Sequence, residues 1–128
     1  SLLAIEVDKR MKDSGVRAFG VHPGGIMTPL QRHLEQEEMV ALGWMDKDGQ
    51  PTERVAKMFK TPTQGASTSL WAATSPQLNG IGGVYCENCE VAAPTDDGEN
   101  ARFIGVNDWA VDSEEASRLW DETERMLS

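Results

Sequence analysis

Basic residues are scarce in this chain of 128: 12 Lys and Arg stand against 21 Asp and Glu, a formal charge of −9. That balance argues against DNA, RNA or an anionic membrane as a main partner, because each is held by clustered Lys and Arg. No apolar run approaches the ~20 residues of a membrane-spanning helix, and the start shows no signal-peptide pattern. The two cysteines are too few for a disulfide framework. A cytoplasmic protein is the resulting expectation. What is present suits a folded protein: 39% apolar and 26% charged residues. At this length one domain buries roughly two thirds of its unfolded surface.

Leu3, Ala4, Val7 and Met11 recur at helical spacing and predict a helix over 1–15 with these four buried, closed by a left-handed Gly15. Leu2 and Ile5 fall opposite, which leaves open a second covered face, against more core or a partner subunit. No cap precedes Leu2, so the helix reads as already under way where the chain begins. "VRAFGV", residues 16–21, predicts a strand covered on both faces inside a parallel sheet. Residues 30–60 are amphipathic but broken, with a short helix ending near Gly43 and a turn at "DKDGQP".

A second clear helix follows, with Thr61 as its cap, Pro62 in first position and Gln64 completing a capping box. Ala66, Leu70 and Ala73 are expected as its sheet-facing stripe. A strand over 83–86 comes next, and the glycines before it mark a close approach of backbone or neighbour. The stretch beyond is turn-rich, with one extended piece at most, near Phe103. A last helix is expected from Asp112, with Glu115 in capping position and Ala116, Leu119, Trp120, Thr123 and Leu127 on one face.

Helix, short turn and buried strand make half of an α/β unit. Two or three strands with up to four helices cannot build a parallel sheet covered on both faces. Strand 16–21 reads as central and needs a neighbour on each side. The expected fold is α/β, the closing part of a larger domain.

"VHPGGIMTPL", residues 21–30, carries the main candidate site. Ligands of open α/β sheets bind beyond the carboxyl ends of the strands, where this turn falls. Gly24 and Gly25 allow close approach to the backbone, the main chain of Ile26 can pair with an amide, and Thr28 offers a hydroxyl. A plain structural turn has the same residues. Elsewhere, "CENC" has metal-ligand spacing but no second pair, and it follows a strand where a redox pair opens a helix. His22 and His33 read as structural or surface residues. "DKDG" and "TDDGEN" are too short for a calcium loop. Trp109 and Trp120 could cover a substrate entrance or a neighbouring subunit.

The stretches "EVDKRMKDSGVRAFGVHPGGIMTPL" and "KTPTQGASTSLWAATSPQLNGIGGVYCENCEVA" together resemble the short-chain dehydrogenase/reductase family, in particular its retinol-dehydrogenase-like bacterial oxidoreductases. The likeness runs over residues 1 to about 93. It implies the C-terminal part of a Rossmann-type doubly wound parallel sheet, its last two parallel strands with flanking helices, the N-terminal half being absent. Residues 1–29 would be helix, strand and Pro-Gly turn, 30–60 a substrate lid, 61–93 the closing helix and last strand, and 94–128 a tail and helix.

The same resemblance implies that Pro23, Gly24, Gly25 and Ile26 lie beneath the nicotinamide of NAD or NADP. The Ile26 main chain would hold the carboxamide and the Thr28 hydroxyl would reach the carboxamide or diphosphate. Leu30, Met39, Leu42, Trp44 and Met45 would face an apolar substrate or simply pack the lid. The implied reaction exchanges a hydride with a small alcohol/carbonyl substrate in a homo-oligomer, with no metal. The family's glycine-rich cofactor loop, catalytic Ser and Tyr-x-x-x-Lys are not among these residues; Tyr85, the one tyrosine, is followed four places on by Cys89. The resemblance puts them upstream of Ser1, so the stretch alone is expected to be inactive. Two other readings stay open: a truncated, non-catalytic interaction module stable only through self-association, and a small redox or metal protein using Cys86 and Cys89.

Overall fold

The computed structural model describes residues 1–95 and 104–128, and the extended piece expected near Phe103 lies outside them. By chain contacts the protein divides into two units, Ser1–His22 with Ser67–Ser128, and Pro23–Ala66.

In the first unit, helix α1 (Leu2–Met11) runs through a 3-10 turn to Gly15, which takes the expected left-handed angle (φ 78°). Its buried face is not the apolar one. Glu6 and Asp8 are buried, whereas Leu3 and Met11 are 56% and 43% exposed. Charge is tolerated inside only when paired, and both carboxylates are. Glu6 accepts from Arg10 Nε (2.7 Å) and from the Ser117 hydroxyl (2.9 Å). Asp8 accepts from Arg17 Nε (2.8 Å) and the Ala18 N–H (3.1 Å). That second set also explains why strand β1 covers Phe19–His22 rather than 16–21: Arg17 and Ala18 are already committed to α1.

Strand β2 (Val84–Glu87) lies parallel to β1, with Phe19 opposite Val84 and His22 opposite Glu87. Both parallel strands are therefore present. A third, β3 (Glu90–Val91), returns antiparallel. It goes unpredicted because "CENC" looks like a cysteine motif, but it is a two-residue hairpin. Asn88 (φ 49°) and Cys89 (φ 60°) both adopt left-handed angles, the geometry whose twist matches that of paired strands. The sheet order is β1-β2-β3. Among the described residues β1 is paired on one side only, so a strand that reads as central stands at an edge, half-buried throughout.

The glycines before β2 do mark a close approach. A Cβ on Gly82 would overlap the Asp8 carboxylate and reach 2.5 Å from the Arg17 guanidinium, so the ion pair sits on bare backbone. Helix α5 (Ser113–Leu127) begins where expected, its Asp112 cap accepting from the N–H groups of Glu114 (2.7 Å) and Glu115 (3.0 Å). It packs on α1, with the Arg10 guanidinium 4.7 Å over the Trp120 ring. Of its expected apolar face only Ala116 is fully buried. Leu119 and Leu127 are exposed, because the contact with α1 runs through Ser117, Trp120 and Asp121.

Helix α4 (Pro62–Thr74) also turns a different stripe inward. Gly65, Thr68 and Ala72 are buried, whereas Ala66, Leu70 and Ala73 are exposed. Thr68 decides the register: its hydroxyl accepts the Cys89 N–H (3.3 Å), seating the hairpin on the helix.

The second unit, Pro23–Ala66, holds a 3-10 turn (Pro29–His33), helix α2 (Gln36–Ala41), helix α3 (Glu53–Met58) and the start of α4. Gly43 is left-handed after α2 as expected, and the "DKDGQP" turn is closed by Met45 pairing with Pro51. Helix α3 escapes prediction although it is as long as α2, because no glycine marks its end as Gly43 marks that of α2. The capping box of α4 forms as predicted: Gln64 Oε1 accepts from the Thr61 N–H (2.9 Å) and the Thr61 hydroxyl from the Gln64 N–H (3.2 Å). No helix among the described residues is long and apolar enough to cross a membrane.

Candidate functional site

Beyond β1 the chain turns through 23–28. Gly24 has φ 90°, which L side chains rarely adopt, and a Cβ on it would stand 2.9 Å from the Lys60 side chain. A Cβ on Gly25 would lie 3.0 Å from the Phe59 ring. The two glycines thus let the 59–60 segment close over the turn. The Lys60 N–H donates to the Gly25 carbonyl (2.8 Å), and Ile26 bridges to Lys60 in parallel fashion. The Ile26 side chain fills the place a Cβ on Gly65 would take, which is why a buried glycine sits there in α4.

The polar groups of the turn converge on one residue. The Gln31 side chain donates from Nε2 to the Ile26 carbonyl (3.0 Å). Its Oε1 accepts from the Thr28 N–H (2.8 Å) and from the Thr28 hydroxyl (3.1 Å). The Thr28 hydroxyl also accepts from the Leu30 N–H (3.2 Å). Three groups, one carbonyl and two donors, are therefore satisfied together by a primary carboxamide. Gln31 and Phe59 are the residues the sequence reading passed over. Gln31 had a visible signal, since "TPLQ" at 28–31 has the same form as "TPTQ" at 61–64.

Of the five apolar residues expected over the substrate, three lie close in the backbone: the N–H groups of Trp44 (2.9 Å) and Met45 (3.3 Å) both donate to the Met39 carbonyl. Trp44 meets Phe59 edge-on at 5.6 Å. Leu30 and Leu42 are not drawn in and stay 76% and 49% exposed.

Known proteins resemble this chain over most of its length. A probable oxidoreductase of Streptomyces lividans is 42% identical over 113 residues, covering 88% of this chain and 37% of the relative. A short-chain dehydrogenase/reductase of Penicillium roqueforti is 35% identical over 123 residues, 96% of this chain and 34% of the relative. A retinol dehydrogenase of Homo sapiens is 29% identical, over 98% of this chain and 32% of its own length. The chain belongs to the short-chain dehydrogenase/reductase family. It spans about a third of the length of these relatives. No protein-family model and no solved structure matches it.

Of the remaining candidates of this short-chain dehydrogenase/reductase chain, all but His33 lie in its first unit. His22, closing β1, has Nδ1 3.9 Å from Glu87 Oε2 and stacks on Tyr85. Glu87 is buried and accepts from the Gly105 N–H (2.6 Å). Burial, helped by the charge on Glu87, pushes the Tyr85 hydroxyl pKa upward. That shift moves it away from the poise of a proton donor near neutrality. His33 is exposed in the 3-10 turn of the second unit. Cys86 and Cys89 are both free. Cys86 is buried opposite Val91, its thiol pushed up by burial, and Cys89 sits in the hairpin turn. Among the described residues no three His, Cys, Asp or Glu side chains gather where a metal could be held.

Proposed function

We propose that this chain is the C-terminal portion of a nicotinamide-dependent oxidoreductase that exchanges a hydride between NAD or NADP and an alcohol/carbonyl pair on a small or moderately apolar substrate. The observation that carries the proposal is the donor and acceptor set at the end of β1. The Ile26 carbonyl and the N–H and hydroxyl of Thr28 suit a primary carboxamide, since the carboxamide of Gln31 satisfies all three. Nicotinamide bears the same group, so the residues fit it. When bound, the cofactor supplies the hydride chemistry.

In this proposal Pro23, Gly24, Gly25 and Ile26 form the turn under the ring, and Ile26 with Thr28 orients it. Residues 30–60 act as a lid that excludes water, and Leu30, Met39, Leu42, Trp44 and Met45 offer apolar surface to the substrate. Strands β1 and β2 are taken as the last two parallel strands of a Rossmann-type sheet, whose preceding strand would pair with the open edge of β1. The proton donor and the dinucleotide loop belong to residues outside these 128, and the working form is a homo-oligomer. The stretch by itself is proposed to be inactive: Tyr85 lacks a lysine four places on and its pKa shifts the wrong way for a donor.

The test is Thr28→Val in the full chain. Losing one hydrogen bond to the cofactor, worth about 1–1.5 kcal/mol, should raise the KM for NAD(P) roughly tenfold. Unchanged kinetics would overturn the assignment of the turn.

A further inference from the structure

We infer that Gln31 is a latch on the cofactor turn: its side-chain carboxamide occupies the very groups the nicotinamide carboxamide would need, and must leave before NAD(P) can bind. The inference rests on the function proposed above and adds to it a built-in competitor. The Ile26 carbonyl, the Thr28 N–H and the Thr28 hydroxyl each bond to Gln31, at 3.0, 2.8 and 3.1 Å. Gln31 Oε1 takes both Thr28 donors, the N–H and the single hydroxyl proton. A hydroxyl has only one proton to give, so the oxygen of a ligand carboxamide finds no Thr28 donor free in this arrangement. It can accept from Thr28 only by replacing Gln31.

Competition from a tethered group lowers the apparent affinity of the ligand by the fraction of time the latch is open. Exchange is also conservative, one primary carboxamide for another, so the three groups are left satisfied in either state. What changes is the first turn of the proposed lid. Gln31 and Thr28 form the capping box of the 3-10 turn Pro29–His33, and that turn loses the Gln31 half of its box when Gln31 swings away, keeping the bond from the Leu30 N–H to the Thr28 hydroxyl. Its twin, Gln64 with Thr61, caps an α-helix of 13 residues. The turn capped by Gln31 has five. The shorter element has fewer bonds depending on its cap, so Gln31 is the cheaper of the two to release. Cofactor arrival would thus be felt at the start of the lid without any further contact.

The experiment compares NAD(P)⁺ with the matching ADP-ribose, which lacks the nicotinamide, on the full chain and two variants. Gln31→Ala removes the latch and should lower the Kd for NAD(P)⁺ about fivefold while leaving the Kd for ADP-ribose unchanged. Gln31→Glu keeps an acceptor for Thr28, and with it the cap, but cannot donate to the Ile26 carbonyl. It should fall between wild type and Gln31→Ala, and it guards against a turn that has merely unfolded. In ¹⁵N-labelled wild type the Gln31 side-chain NH₂ resonances should move with NAD(P)⁺ and stay still with ADP-ribose. Dinucleotide affinity indifferent to both substitutions, or loss of affinity for both ligands in Gln31→Ala, overturns the latch and leaves the proposed function standing. Failure of wild type and variants alike to bind either ligand overturns the proposed function, and the latch with it.

Discussion

In the unit formed by Ser1–His22 and Ser67–Ser128, side chains far apart in the chain hold one another: Ser117 donates to Glu6 and Lys9 to Ser117, across 111 and 108 positions. In the unit Pro23–Ala66 many side-chain bonds are local, such as those between Gln31 and Thr28, Glu38 and Glu35, and Thr52 and Gly43, which span three to nine positions. The difference is one of cooperativity. Long-range pairs close large loops and break only when the unit opens. Caps and tight turns can form and dissolve singly. A site whose occupant must displace an internal group belongs in the second kind of structure, and the turn proposed to hold the nicotinamide is found there.

The contrast can be broken most severely at Gly82. Gly82→Ala drives a methyl group into the Asp8–Arg17 pair, and urea unfolding should show a loss of about 3 kcal/mol. Wild-type stability in that variant would mean the pair is no clamp.

Acid should weaken the same unit. The Arg17 guanidinium holds the Asp8 carboxyl below its ordinary range; burial opposes this and the Ala18 N–H assists. For Glu6 burial pushes upward, but Arg10, Ser117 and Lys9 outweigh it and the net direction is again down. Both groups are lowered on folding, so their stabilisation is present above the unfolded values near 4 and is lost as pH falls through the folded ones. Urea midpoints should be level between about pH 5 and 7 and fall below about pH 4, less steeply in Asp8→Asn.

A local cap should cost less. Thr61→Ala deletes half of the box that starts α4, an expected loss of about 1 kcal/mol in the same assay. The Lys57–Glu53 pair on α3 is solvent-exposed at both ends. Glu53→Gln should move Tm by under about 2 °C, and a larger shift would show that the short helix depends on it.

Local chemistry made much of this fold legible. Gly15 and Gly43 at helix ends, the Thr61 box and the Asp112 cap all lie where residue type and spacing put them, because each is decided within one turn of chain. Legibility stopped at β3, which is too short to show a period, and at α3, which has no closing glycine to mark it as Gly43 marks α2. At the candidate site the reading reached the glycines and Thr28 but passed over Gln31, although the same four-residue form was recognised at 61–64.

Which faces are buried was another matter. Composition and periodicity put Leu3 and Met11 inside α1 and Leu70 inside α4, and the fold buries Glu6, Asp8 and Thr68 instead. Hydrophobic spacing reports only what a helix could bury against an apolar neighbour. These helices meet polar partners, Arg17 and Ser117 on one side and the Cys89 N–H on the other, which lie from 9 to 111 positions away. The residue types along the chain settle the caps, turns and strand ends, since nearest neighbours in sequence supply those forces. Which charge finds which partner, and which strand has a free edge, is settled only when distant segments are brought into register.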